Sequence, residues 1–215
     1  MKNLFLASSV ETTGPAIGKE IENILGKKAK DIKLVFIPTA GMVEEEKGWI
    51  ENDRSGLVEA GFEINDYDIT DKTPKDIEKD LNMYDVIHVN GGDTFYLLIQ
   101  ARKSGFDKWI KEKVLSGEKI YTGSSAGSIA CAPNTMDAEF FENYDYFKEL
   151  KTYEGFGLVD FMIFPHWGSE DFKEKFLNHR IEVAYKADNK IILLNDWQYM
   201  KVEGDKYRIV DVRDK

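Results

Sequence analysis

Apolar residues in this chain fall into short continuous runs, separated by longer stretches in which they recur every three or four positions. The first pattern marks buried strands and the second amphipathic helices. Residues 2–7 predict a strand, and residues 15–25 a helix with Ile17, Ile21 and Ile24 on one face. The alternation continues with a strand at 32–38, a helix at 44–60 stopped by Gly61, a strand at 62–69 and a helix at 74–81 carrying Pro74 in its first turn. Residues 85–89 make a short buried strand that runs into Asn90-Gly91-Gly92-Asp93-Thr94. Helices are then expected at 95–103 and 106–115, and a strand at 119–122. Past that strand the pattern predicts a helix to about Ala132, an aromatic and acidic stretch over 137–153, a strand at 158–164, and a helix at 169–185 with Ser169 as its N-cap. Terminal strands follow at 190–195, 198–202 and 207–210, joined in part by a hairpin turn at Glu203-Gly204-Asp205.

Strands that are apolar almost throughout, with helices between them, imply a mostly parallel sheet covered on both faces, a doubly wound α/β fold. No internal repeat, low-complexity tract or linker divides the chain, so residues 1–215 are expected to form one domain. A chain of 215 residues can bury roughly 70–75% of its unfolded surface in that form. Ligands in open α/β sheets bind beyond the carboxyl ends of the strands. The Gly91-Gly92 loop, the turn at Ser125, Pro165-His166 and Asn195-Asp196 each follow a predicted strand. If those strands are parallel, the four loops gather at one edge.

Composition narrows the function classes. A hydrophobic fraction of 42% and a charged fraction of 32% suit an ordinary globular protein. The net charge of −10, with Lys and Arg scattered along the chain, argues against nucleic acid or an anionic membrane as partner. No apolar run approaches membrane-spanning length, and the apolar stretch at 4–7 is too short for a secretory signal, so a cytoplasmic location is expected. Cys131 is the only cysteine, which rules out an internal disulfide and leaves a small buried hydrophobe as its simplest role. His88, His166 and His179 lie far apart without metal-binding spacing, so neither a metal nor another cofactor is expected.

Chemistry concentrates at Gly123-Ser124-Ser125-Ala126-Gly127, a Gly-x-Ser-x-Gly between a strand-like and a helix-like segment. A serine hydroxyl is a weak nucleophile that needs an exposed turn, a neighbouring base and N–H donors for the oxyanion. Ser125 is the candidate nucleophile, although a plain Gly/Ser connection would have the same sequence. His166, after a strand halted by Pro165, is the best placed of the three histidines to act as base. Asp196 stands directly after a strand and is the expected orienting acid. Asp160 and Asp145 compete because they fit the chain order of the α/β-hydrolases. The expected oxyanion donors are the N–H groups of Ala126 and Gly92, with Gly91 and Asp93 beside the substrate on the same loop. Asp93 also reads as the cap of the next helix. A phosphate-binding loop is the weaker reading, because neither a Gly-Lys-Ser/Thr tail nor a Gly-x-Gly-x-x-Gly is present.

Taken in order, Asn90-Gly91-Gly92-Asp93-Thr94, Gly123-Ser124-Ser125-Ala126-Gly127, Gly155-Phe156-Gly157-Leu158 leading to Pro165-His166, and Leu194-Asn195-Asp196 resemble the peptidase E (aspartyl dipeptidase) and cyanophycinase family of serine peptidases. The resemblance spans most of the chain and implies a class I glutamine amidotransferase-like fold with serine in place of the amidotransferase cysteine. It also implies a triad of Ser125, His166 and Asp196, although this chain has Asp196-Trp197 where peptidase E has Glu followed by Gly. The implied substrate is a small peptide cut after an N-terminal acidic residue. Such a substrate needs a local cation, for which Lys173, Lys175 and above all Arg180 stand in the helix after His166, while Asp137 could hold the substrate amino group or be a surface acid. A cyanophycinase-like or other amide or ester hydrolase, and a non-catalytic metabolite-binding protein, are the alternatives. The aromatic residues Phe140, Phe141, Tyr144, Tyr146 and Phe147 fit a lid, a homodimer face or core packing equally well.

Overall fold

The computed structural model describes residues 1–141, 144–186 and 190–213. A seven-stranded sheet carries β1 (Asn3–Ala7), β2 (Leu34–Ile37), β3 (Ile64–Asp66), β4 (Val86–Val89), β5 (Ile120–Ser124), β8 (Gln198–Glu203) and β9 (Lys206–Asp211) in the order β3-β2-β4-β5-β1-β8-β9. The first five strands in that order run parallel, and β8 and β9 close one side antiparallel. Residues of β1, β2, β4 and β5 are buried almost without exception, because helices cover both faces. Period-two alternation assigns them: Leu4, Leu6, Val35 and Ile87 pack on one side, Phe5, Ala7, Leu34 and Val86 on the other. The first side is covered by α3 (Pro74–Leu81), α4 (Thr94–Ser104) and α5 (Phe106–Leu115), the second by α1 (Val10–Leu25) and α2 (Gly48–Glu59). The doubly wound, mostly parallel fold read from the pattern is the observed one.

Two strands depart from the expected single edge. β6 (Phe161–Phe164) and β7 (Lys190–Leu193) pair in parallel with each other in a separate two-stranded sheet. The edge of β1 that they could have extended is occupied by β8, so only the pairing of the last strands, which apolar runs do not encode, determines this split.

Helix boundaries moved where tertiary contacts supply the caps. α1 begins at Val10 rather than at Pro15, because Ser9 caps it and the Asp53 carboxylate of α2 accepts from the Val10 and Glu11 N–H groups at 3.0 and 3.1 Å. α2 begins at Gly48, leaving Glu44-Glu45-Glu46 outside it. The helix expected at 169–185 is broken into the short turns Glu170–Phe172 and Lys173–Lys175, a π-helical turn at Phe176–Arg180 and a last segment at Ile181–Lys186. Ser169 makes no side-chain cap bond there. The wider turn buries Phe176 and Arg180 together, with the guanidinium carbon 4.5 Å from the Phe176 ring centre and 5.0 Å from that of Phe172.

Of the aromatic group after Asp137, Tyr146 packs on Tyr96, and Phe147 on Phe95 and Tyr153, both against the core. The side chains of Phe140, Phe141 and Tyr144 lie outside the described residues. Cys131 is fully buried, as expected of a small apolar side chain, and burial pushes its thiol up. Among the described residues no helix is long and apolar enough to cross a membrane.

Candidate active site

β4, β5 and β1 are neighbours, so their carboxyl ends present Asn90-Gly91-Gly92, Ser125 and Ser8 side by side. Ser125 joins β5 to the short helix α6 (Ala126–Ile129) with φ 48° and ψ −111°, a region that residues with a side chain seldom adopt. Its amide is held by the carbonyls of Ala7 and Ser8, both at 3.2 Å. The turn also needs a missing side chain: a Cβ on Gly127 would stand 2.0 Å from the Val89 carbonyl oxygen. Gly127→Ala is therefore expected to lower the unfolding free energy by about 1–3 kcal/mol. A fall in the urea midpoint with unchanged slope would register this, and an unchanged midpoint would contradict the close approach.

β6 and β7 deliver the remaining groups. His166, two residues past β6, adopts φ 65°. Its Nε2 is 3.0 Å from Ser125 Oγ and its Nδ1 2.7 Å from Asp196 Oδ1. An ionised carboxylate only accepts, so Nδ1 carries the hydrogen and the Nε2 lone pair faces the Ser125 hydroxyl. The Phe172 ring stacks on the imidazole at 4.4 Å and 21°. Burial acts to raise the Asp196 carboxyl, but the His166 hydrogen bond and charge, with the Ser8 hydroxyl, outweigh it and hold the group below its ordinary value. Asp160, a competing acid, is exposed and bound to Lys190 at 2.5 Å. Asp145 does not line the cavity. His88 lies buried on β4 between Thr122 and Asn90, and burial lowers it to about 4, so it stays neutral.

The cavity beside Ser125 has a volume of about 680 Å³. Gly91 and Gly92 form part of its wall. Gly92 has φ 126°, and a Cβ there would meet Ala40 backbone atoms at 2.2–2.3 Å, so the loop is pressed against the chain after β2. Ala126 is the first residue of α6, and its N–H has no acceptor within that helix. Trp49, Phe172 and Trp197 add aromatic surface, and Arg180 and Lys175 add positive charge. Lys173 instead pairs with Glu170 outside the lining.

Two expected contributors sit elsewhere. Asp93 is buried as the N-cap of α4, its Oδ1 accepting from Tyr96 N–H at 2.8 Å, and Asp137 is on the 3-10 turn Met136–Phe141; neither lines the cavity. The sequence reading also missed Ser8 and Asp53, both of which line it. Ser8 could have been found, since it follows β1 just as Ser125 follows β5, and the rule for strand ends applies to both. Asp53 carries no such signal, being one polar residue on a helix. Among the described residues no cluster of three or more His, Cys, Asp or Glu side chains could hold a metal ion.

The model of peptidase family S51 matches residues 4–210. The uncharacterized peptidase Lmo0363 of Listeria monocytogenes is 32% identical over 204 residues, covering 95% of this chain and 96% of the relative. Peptidase E of a Nostoc species is 25% identical over 197 residues, covering 89% and 77%. A crystal structure of a Listeria monocytogenes EGD-e protein described as peptidase E superposes with a TM-score of 0.84 at 29% identity, covering 98% of both chains. A peptidase from an acI-B1 actinobacterium shares the fold, with a TM-score of 0.72 at 18% identity.

Proposed function

The chain belongs to peptidase family S51, and from that membership we propose that it is a serine peptidase that cuts small peptides after an N-terminal acidic residue through an acyl-enzyme on Ser125. The observation that carries the reading is the continuous relay from Ser125 Oγ through His166 to Asp196, with links of 3.0 and 2.7 Å.

In this reading Ser125 Oγ attacks the scissile carbonyl carbon while His166 Nε2 takes the hydroxyl proton. The carbonyl oxygen becomes an oxyanion, stabilised by N–H groups of Ala126 and Gly92. Collapse of the tetrahedral species breaks the C–N bond, and His166 passes its proton to the leaving amine. Water then enters, loses a proton to the same nitrogen and releases the acid product, restoring Ser125. Asp196 keeps the hydrogen on Nδ1 throughout and offsets the positive charge on the imidazolium. The residues involved supply every proton transfer of this sequence without a cofactor.

Selectivity for an acidic residue rests on Arg180 and Lys175 in a lining that otherwise carries Glu11, Glu44, Asp53, Asp171 and Asp196. Arg180 is the stronger element because it is buried and held between two rings, so little freedom is lost when a carboxylate binds. Glu11 and Glu44 offer acceptors for the ammonium group of the same residue. Arg180→Met is expected to lower kcat/KM for Asp-X dipeptides about 10- to 100-fold more than for Ala-X dipeptides, the range of a lost charged hydrogen bond. An equal loss on both would remove Arg180 from substrate selection.

The reading as a whole is tested by treating the protein with a fluorophosphonate, locating the adduct by peptide mass and assaying an Asp-X panel. Modified Ser125 with Asp-X cleavage is expected. A protein that neither reacts nor cleaves would exclude the serine mechanism, and a labelled Ser125 with ester but no peptide turnover would move the substrate to esters.

A further inference from the structure

We propose that Ser8 is a positioning residue for this site, the fixed point from which the imidazole and its carboxylate are aimed at Ser125; the proposal rests on the serine-peptidase reading above. Ser8 is fully buried at the carboxyl end of β1. Its Oγ donates to Asp196 Oδ1 at 2.6 Å and accepts from the His166 backbone N–H at 2.7 Å. The same Oδ1 accepts from His166 Nδ1–H at 2.7 Å. The Ser8 carbonyl in turn accepts from the Ser125 N–H at 3.2 Å. One residue therefore touches all three segments of the triad.

The need for such a link follows from the topology. Ser125 stands on the seven-stranded sheet, whereas His166 and Asp196 follow strands of the separate β6–β7 pair. A shift between the two sheets would lengthen the 3.0 Å gap between Nε2 and Oγ, and catalysis is sensitive to displacements of about 1 Å. Ser8 ties the sheets at the reacting groups, and Thr12, in the first turn of α1, adds a bond from its hydroxyl to the Asp196 carbonyl. The Ser8 bond also fills one lone pair of Oδ1 and so fixes the plane of a carboxylate whose side chain is 35% exposed and otherwise able to turn. The positive φ of His166 leaves its amide facing the same hydroxyl.

Ser8 is itself immobilised by Asp53. Oδ1 of that buried carboxylate accepts from Ser9 Oγ at 3.0 Å and from the Val10 and Glu11 N–H groups, while Oδ2 accepts from Ser124 Oγ at 2.6 Å. Asp53 thus joins the residue after Ser8 to the residue before Ser125. Ser8 Oγ lies 3.4 Å from Nδ1 and contacts no reacting atom, so its effect is exerted through Asp196 and His166.

Kinetics of Ser8→Ala, Ser8→Cys and Ser8→Thr, normalised to sites titrated with a fluorophosphonate, test the assignment. Normalisation removes any loss of folded protein from the comparison. For Ser8→Ala, kcat and kcat/KM should fall together by about 10- to 100-fold with KM unchanged, as expected for loss of one hydrogen bond to a charged group. The acid limb of kcat/KM should move to higher pH, because an Asp196 carboxylate with one donor fewer binds the imidazolium more strongly. Ser8→Thr, which keeps the hydroxyl, should recover most of the rate. If Ser8→Ala does not fold, Ser8→Cys makes the same comparison at similar volume, since a thiol is a weak donor. Titrated variants that turn over at the wild-type kcat with an unmoved acid limb would reduce Ser8 to packing and overturn the proposal. A wild-type protein that neither reacts at Ser125 nor cleaves peptides would instead bring down the underlying reading, and this proposal with it.

Discussion

Ser125→Ala is expected to lower kcat on Asp-X dipeptides by about 10⁶, the scale at which removal of a triad nucleophile leaves only binding and oxyanion stabilisation. The reason is geometric as well as chemical. Ser125 Oγ is the atom aligned with His166 Nε2 at 3.0 Å, while the nearby Ser124 hydroxyl is committed to Asp53 at 2.6 Å. The Ser124 hydroxyl is therefore not positioned to take over. The variant should keep its fold, because alanine holds the same backbone turn and the Ser125 amide bonds to Ala7 and Ser8 do not involve the side chain. Fluorophosphonate labelling should disappear while the urea midpoint remains near that of the wild type. Residual turnover within tenfold of wild type would show that another nucleophile is at work.

Asp196→Asn should reduce kcat by about 10⁴ with little change in KM, as when an orienting carboxylate becomes an amide that favours the wrong imidazole tautomer. The amide keeps one oxygen for Ser8 and His166, so the loss arises from charge and tautomer more than from shape. A loss below tenfold would point to a different orienting acid. The same variant carries a pH signature. The folded Asp196 carboxyl lies below its ordinary value of 3.8, so ionising it favours the folded state. The stability it contributes is fully present above that ordinary value and is lost as pH falls through the lower folded value. Acid unfolding of the wild type should thus be steeper over this interval than that of Asp196→Asn, as measured by the unfolding free energy between about pH 5 and 2.

Much of the architecture was legible because it depends on local periodicity. The apolar runs that became β1, β2, β4 and β5 read as strands covered on both sides, and Pro74 in the first turn placed α3 at Pro74–Leu81, where the structure adds a capping box of Thr73 and Asp76. The nucleophile turn was legible for a similar reason. Its close contact with Val89 tolerates no side chain at Gly127, so the backbone requirement is written directly into the residue type. Placing His166 and Asp196 beside it relied on strand ends, and the structure brings those side chains to hydrogen-bonding distance.

The amino-acid pattern by itself determined the strands and most of the helices around the central sheet, that the central strands are buried on both faces, and where a serine turn, an imidazole and a carboxylate stand relative to strand ends. Only the tertiary structure decided that β6 and β7 form a sheet of their own, that α1 starts five residues early on a carboxylate from α2, and that a π-helical turn carries Arg180 into the cavity wall. It also decided that Asp93, legible as a helix cap, does not reach the cavity, and that Ser8 stands between the sheets. Periodicity reports how each segment meets a generic interior. Strand pairing, caps borrowed from another helix and bridging hydroxyls depend on which distant segments meet, and their free energy arises only when the chain has closed on itself.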